Sequence, residues 1–321
     1  MAHNRPVRRP TLSPQDYRKV TAVALALLVM IVVTGAAVRL TGSGLGCTDW
    51  PNCEDGRLVA PLELHPMVEF VNRMITGLVS LAVMVAVLGS LVREPRRRDL
   101  TWLSIGLVGG VIAQIVLGGM VVLFDLNPVL VQGHFVVSMV LVADAVVLHH
   151  RAGEADAPRR PVVTPLLRRL VVALVVLAAI VILTGTAVTG SGPHAGDEEA
   201  KRLPFSVHAA AQVHGIAMIA FLVATLATLW RIRSERAPAS VARSAEALLG
   251  ILVLQAAVGY TQYFTEIPPL LVGLHVLGAT IVWIAVLQLL LGLSAPAERL
   301  RDWDHVVHTG GGAHRDPVPH R

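Results

Sequence analysis

Two histidines in this chain sit in copies of one pattern. His134 and His275 are 141 positions apart (275 − 134 = 141), and QIVLGGMVVLFDLNPVLVQGH at 114–134 aligns without a gap on QAAVGYTQYFTEIPPLLVGLH at 255–275. The alignment superposes Gln114 on Gln255, Gly118 on Gly259, Asp125 on Glu266, Pro128 on Pro269 and Val131 on Val272. A third histidine, His214, precedes His275 by 61 positions (275 − 214 = 61); nearly the same step back from His134 reaches Asn72 (134 − 72 = 62). Two neutral imidazoles projecting from facing helices into a bundle core are a common way of gripping haem iron from both sides. Zinc asks for three or four ligands, and no further histidine or carboxylate recurs at the matching spacing. A hydrogen bond between helices is the plainer use of such histidines; the repeated placement weighs against it. Near Asn72, the run VEFVNR holds Glu69 and Arg73. Glu69 lies one turn from Asn72 on the same face, where a carboxylate can take protons or steer a reactive centre. Alternatively it pairs with Arg73 at i,i+4. The second copy has Ala211 at the position of Glu69, so the copies are chemically unequal.

The elements that carry these residues are lipid-embedded helices. Of 321 residues, 54% are hydrophobic and 15% charged, with a mean hydropathy of +0.64; soluble domains carry about 25% charged residues. Aromatics are 4%, too few for a β-barrel with aromatic girdles. Eight stretches reach the roughly 20 apolar residues of a spanning helix: 20–40, 67–92, 101–123, 129–149, 168–188, 205–230, 245–264 and 270–293. The first is too long for the apolar core of a signal peptide and is expected to stay as an uncleaved helix. His134 and His275 then fall near the ends of spans four and eight, and His214 about 14 Å into span six at the helical rise. Histidine inside a bilayer is costly and usually faces a bundle interior.

The fold expected is an all-α polytopic membrane protein of eight transmembrane helices, arranged as two tandem four-helix bundles, 20–150 and 168–293. An even number of spans per copy makes the repeat parallel, and VTGAAVRLTGSG at 33–44 resembles LTGTAVTGSG at 183–192. Residues 1–19 form an N-terminal segment, 151–167 a linker and 294–321 a disordered tail. Residues 1–19, 93–98, 151–169, 231–243 and 299–321 hold 22 of the 27 Lys and Arg. The positive-inside rule puts these segments, and both termini, in the cytoplasm. The net charge of +5 therefore reflects membrane topology, and no nucleic-acid partner is expected.

Cys47 and Cys53 fall on the oxidising side, close enough to bridge if the turn permits, as a structural disulfide or a redox-active pair. Arg39, Arg73, Lys201 and Arg202 lie near the same surface, where they can hold haem propionates or simply snorkel. His65 at a helix start suits capping or solvent contact, and His208 faces another side of its helix from His214. His149 and His150 end a span beside cytoplasmic charges, and His305, His308, His314 and His320 belong to a solvated tail. A transporter would show broken helices and midplane charges; Asp144, toward the cytoplasmic end of span four, is the one clear candidate.

RLTGSGLGCTDWPNC at 39–53, EFVNR at 69–73, the histidines of spans four, six and eight and the duplicated layout together resemble the haem A synthase family over residues 15–295. The resemblance implies an oxidoreductase of the cell membrane that converts haem O to haem A for terminal oxidases. Successive hydroxylation of the methyl at ring position 8, with loss of water, gives the formyl group. It further implies a haem b cofactor held by His214 and His275, and haem O bound in the N-terminal half with His134 toward its iron. Glu69 is then the acid needed for activity, and Cys47 and Cys53 form a disulfide. Implied partners are haem O synthase, the terminal oxidase under assembly, an electron donor and membrane lipid. The family pattern in span two is Glu-x-x-His-Arg, whereas this chain has Asn72 in place of the histidine. The substrate iron is then left with one strong ligand, His134, and a second face that is open or weakly contacted by Asn72. The alternative reading is a membrane di-histidine cytochrome b that only transfers electrons, which leaves Glu69 and the loop without a use.

Overall fold

The structure is a computed structural model, which describes residues 11–53 and 56–296. Eight helices are present: α1 (Pro14–Leu40), α2 (Leu64–Val92), α3 (Arg98–Leu123), α4 (Pro128–Ala152), α5 (Pro165–Ser191), α6 (Val207–Ser234), α7 (Ala239–Phe264) and α8 (Pro269–Leu291). Each is long and apolar enough to cross a membrane, so the chain is a multi-pass membrane protein. The tail histidines His305, His308, His314 and His320 lie outside the described residues.

At four helices polar caps set the start, which departs from the apolar stretch. Ser13 accepts from the Asp16 amide ahead of Pro14, Thr164 from Leu167 ahead of Pro165, and Asn127 from Val129 ahead of Pro128. A hydroxyl or amide cap followed by proline at the first helical position satisfies otherwise orphaned N–H groups and presets φ. Helices α1 and α5 consequently begin six and three residues before their apolar runs. Helix α6 begins two residues after the expected 205, because Ser206 caps it through the Ala209 amide. His214 is therefore about 10 Å along its helix.

In the first half α1 packs on α2, α3 on α4, α1 on α4 and α2 on α3; in the second the same set joins α5 to α8. The halves meet through α1 and α4 against α5 and α8. Tyr17, Leu107, Val142, Leu148, Leu174, Leu248 and Val286 belong to one continuous apolar core. Leu81, Leu88, Ile216, Leu226 and Leu254 point outward instead, as expected where the solvent is lipid. Inside, the Tyr17 hydroxyl and Ser104 Oγ share a hydrogen bond of 2.9 Å. Across the junction between halves, Trp283 Nε1 donates to the Met139 carbonyl at 2.9 Å.

The α3–α4 and α7–α8 connections turn in the same way. Asp125 and Leu126 have φ of 51° and 55°, and Glu266 and Ile267 of 63° and 60°. Left-handed backbone is costly for residues with a Cβ. Here it is held by amide bonds of 2.9 Å from Leu126 to Val121 and from Ile267 to Gln262. His134 and His275 each follow that turn by the same number of residues.

One expectation is corrected. The tail, read as disordered from 294, begins with strand β2 (Ser294–Pro296), antiparallel to β1 (Arg159–Pro161) in the linker. Arg159 anchors the pair, donating to the Leu291 and Ser294 carbonyls at 2.8 and 3.0 Å and bridging to Glu154 at 2.5 Å.

Replacing Trp283 by Phe removes the hydrogen bond between halves with little change in apolar area. The expected cost is about 1 kcal/mol, seen as a lower thermal midpoint of the detergent-solubilised protein, whereas Trp230→Phe on the exposed surface leaves the midpoint unchanged.

Candidate functional site

His134, His214 and His275 all lie near the end of the bundle that carries the Cys47–Cys53 loop. In the second half the rings of His214 and His275 approach with centroids 6.3 Å apart and planes at 71°. Two metal–imidazole bonds of about 2 Å each, with half a ring beyond either end, span a gap of this size. The pair could therefore hold one metal between its Nε2 atoms. Glycine makes room for each ring: a Cβ on Gly185 would lie 3.1 Å from His214 Cε1, and one on Gly259 2.9 Å from His275 Cε1.

Hydrogen bonds fix the chemical form of His214. The Thr184 hydroxyl donates its single hydrogen within its own helix, to Ile180 or Val181 oxygen at 2.9 and 3.0 Å. With the hydrogen placed there, its oxygen can accept from His214 Nδ1–H, 3.1 Å away. That tautomer leaves the Nε2 lone pair free for a metal. His275 is held through its backbone, whose carbonyl accepts from Gln255 Nε2 at 2.8 Å. Its Nδ1 is buried with no hydrogen-bond partner among the described residues. A buried polar nitrogen in that condition calls for an explanation.

The same frame recurs around His134. Gln114 Nε2 donates to the His134 carbonyl at 3.0 Å and also bonds Ser138 Oγ. A Cβ on Gly118 would lie 3.4 Å from His134 Cε1. His134 Nδ1 is likewise buried without a partner among the described residues. Asn72 takes the place that His214 has in the second half. Thr34, the counterpart of Thr184, donates to Asn72 Oδ1 at 2.8 Å. The Thr-Gly pair was visible in the repeated segments at 33–44 and 183–192, but its role required the α1–α2 and α5–α6 contacts.

Glu69 is buried beneath the outer loop. Its Oε2 accepts from the Cys47 amide at 2.8 Å, and Oε1 accepts from Arg73 Nη2 and Nε at 2.6 and 3.2 Å. The i,i+4 ion pair expected from the sequence is present, with a loop amide added to it. Cys47 and Cys53 are disulfide-bonded. Arg73 also donates to the carbonyls of Asp49, Asn52 and Cys47 at 3.2, 2.8 and 3.3 Å. All five N–H groups of its guanidinium are thus committed, which leaves none for a propionate.

Arg39 reaches out of the first half to the Thr189 and His194 carbonyls at 2.6 and 2.5 Å, retaining further donors. His194, which no spacing marked, bonds the Ile267 carbonyl through Nε2 at 2.8 Å. Arg202 bonds the Pro193 carbonyl at 3.0 Å, and Lys201 is exposed. The remaining histidines have local partners: His65 with Ser43, His208 with Tyr263, His149 with Thr21 and His150 with Glu154. Asp144 abuts Gly106, whose Cβ would lie 2.8 Å from its Oδ2. Among the described residues no three His, Cys, Asp or Glu side chains converge as an ion site.

A model of the cytochrome oxidase assembly protein family (COX15-CtaA) matches residues 18–287. A protein named Heme A synthase from Listeria welshimeri is 32% identical over 181 residues, 54% of this chain and 59% of that protein. Proteins of the same name from Bacillus pumilus and Lysinibacillus sphaericus are 30% and 32% identical over 151 and 144 residues. Those stretches are 46% and 44% of this chain and 49% and 46% of the relatives. The chain spans about half the length of the curated relatives it matches.

Gly259→Ala would push a methyl into the His275 ring. Overpacking of this kind costs about 1–3 kcal/mol, so haem retained by the purified protein, measured by its absorbance, is expected to fall. Gly250→Ala, in open space, is expected to leave it unchanged.

Proposed function

The chain belongs to the cytochrome oxidase assembly protein (COX15-CtaA) family, and from that premise we propose that it is a haem A synthase. Its substrate is haem O and its product haem A, destined for terminal oxidases. The ring-8 methyl is hydroxylated twice, each step a two-electron oxidation that needs an external oxidant and adds one oxygen atom, and the resulting geminal diol loses water to give the formyl group. The enzyme lies in the cell membrane with both termini cytoplasmic, and its two tandem bundles divide the work. His214 and His275 hold a haem b; when bound, it supplies one-electron transfer. Thr184 keeps His214 in the tautomer that exposes Nε2. His134 faces the iron of haem O in the first bundle, with Gly118 keeping its ring edge clear.

The observation that carries this reading is that one frame of threonine, glutamine and glycine surrounds both histidine sites, while their polar equipment differs. The second bundle offers two imidazoles, as a closed electron-transfer site requires. The first offers one imidazole, the amide of Asn72 and, on the same α2 face, the carboxylate of Glu69. Glu69 holds the disulfide loop over this end of the bundle through the Cys47 amide. Its Oε1 is engaged by Arg73, so a proton would be taken at Oε2, beside the Cys47 amide. Arg39 retains donors that can meet a propionate; haem O synthase, the oxidase under assembly and an electron donor are the partners this role requires.

The test is expression in a host that makes haem O and no haem A, with extracted haems identified by mass spectrometry. The wild type is expected to yield haem A. Glu69→Ala is expected to keep the haem b spectrum and lose the product. Haem-loaded wild-type protein that yields no haem A overturns the proposal and leaves a cytochrome b that only moves electrons.

A further inference from the structure

We infer that Asn72 serves the first-half site as a hydrogen-bond donor and not as an iron ligand, because Thr34 holds its amide oxygen toward α1. This deepens the proposed function, resting on its assignment of the first half as a haem site, and concerns the face of that haem opposite His134.

The argument starts from two equivalent threonines that use their single hydrogen differently. Thr184 donates to Ile180 or Val181 oxygen at 2.9 and 3.0 Å, and accepts from His214. For Thr34 the backbone acceptor, Ile31 oxygen, lies at 3.4 Å, whereas Asn72 Oδ1 lies at 2.8 Å. Hydrogen-bond strength falls steeply over that range, so the Thr34 hydrogen belongs to Asn72 Oδ1. Among the described residues Thr34 is the one side-chain partner of Asn72.

An amide nitrogen is planar, its lone pair delocalised into the carbonyl, so oxygen is the atom by which asparagine binds metals. With that oxygen held against α1, the opposite edge of the amide, its two N–H groups, is what Asn72 presents to the bundle interior. Among the described residues Glu69 makes no hydrogen bond to Asn72; its oxygens accept from Cys47 and Arg73. An imidazole position in one half has thus become a donor position in the other. The ligand class it suits is a small anionic or oxygen-centred acceptor on the open side of the iron.

Fluoride is such an acceptor and a convenient probe, because it binds ferric haem with one open face and not haem held by two imidazoles. The full-length ferric protein, purified with its haems, is titrated with fluoride while its high-spin absorption band is followed. The wild type is expected to hold one high-spin, fluoride-binding haem beside one low-spin haem. Asn72→Leu is expected to weaken fluoride binding by about tenfold, the scale of a hydrogen bond to a charged group. A second variant guards against loss of folding: Asn72→His restores the pattern of Thr184 and His214 and is expected to turn the high-spin haem low-spin. Two results would overturn the inference: unchanged fluoride affinity in Asn72→Leu, or a wild-type first-half haem that is low-spin and becomes high-spin in that variant. Protein that keeps the His214–His275 spectrum but has no second haem overturns the reading of the first half as a haem site, and this inference with it. Failure to form haem A with the fluoride results as expected strikes only the proposed reaction.

Discussion

An imidazole inside a lipid-embedded bundle needs both room for its ring and a fixed backbone, because no water is available to satisfy it if it shifts. The chain meets both needs with the facing helix. Gly185 opens space for His214, Gly118 for His134 and Gly259 for His275. Gln114 and Gln255 clamp the carbonyls of the two histidines that follow the left-handed turns. These contacts work only if α3 lies on α4, α5 on α6 and α7 on α8, so the order of helices in each half follows from the demands of its polar rings. Close approach of helices through small residues is also what holds bundles together where lipid removes the hydrophobic drive.

On this common frame the two halves have been fitted out differently. Asn72 stands where the other half has His214, and Glu69 where it has Ala211. Thr184 bonds a histidine in α6 and Thr34 an amide in α2, each through its hydroxyl oxygen. Such exchanges cost little in packing, since the threonine hydroxyl can donate or accept. They change what each site offers a ligand.

The eight spans were legible because transfer from water to lipid depends on composition, which a sequence displays directly. Their ends were less so: hydropathy does not register Ser13, Thr164 or Ser206, whose effect is on backbone N–H groups. The histidines and their glutamines stood out through spacing. What Arg73 does was only half visible, since its pairing with Glu69 is local but the carbonyls of Asp49 and Asn52 are returned to it by a loop. The β1–β2 pair was missed because strands this short carry no alternation, and their stability comes from Arg159 reaching across the fold. His194 gave no signal either, since its partner is a backbone oxygen in a different connection.

Arg39, from the first half, binds the Thr189 carbonyl in the last turn of α5 and the His194 carbonyl in the α5–α6 connection, and the Gly44 amide binds the Gly196 carbonyl at 2.8 Å beside it. With Trp283 tying the halves deeper down, the junction is bonded at two depths. Under the proposed function, an electron passing from the second-half site to the first would cross this bonded junction.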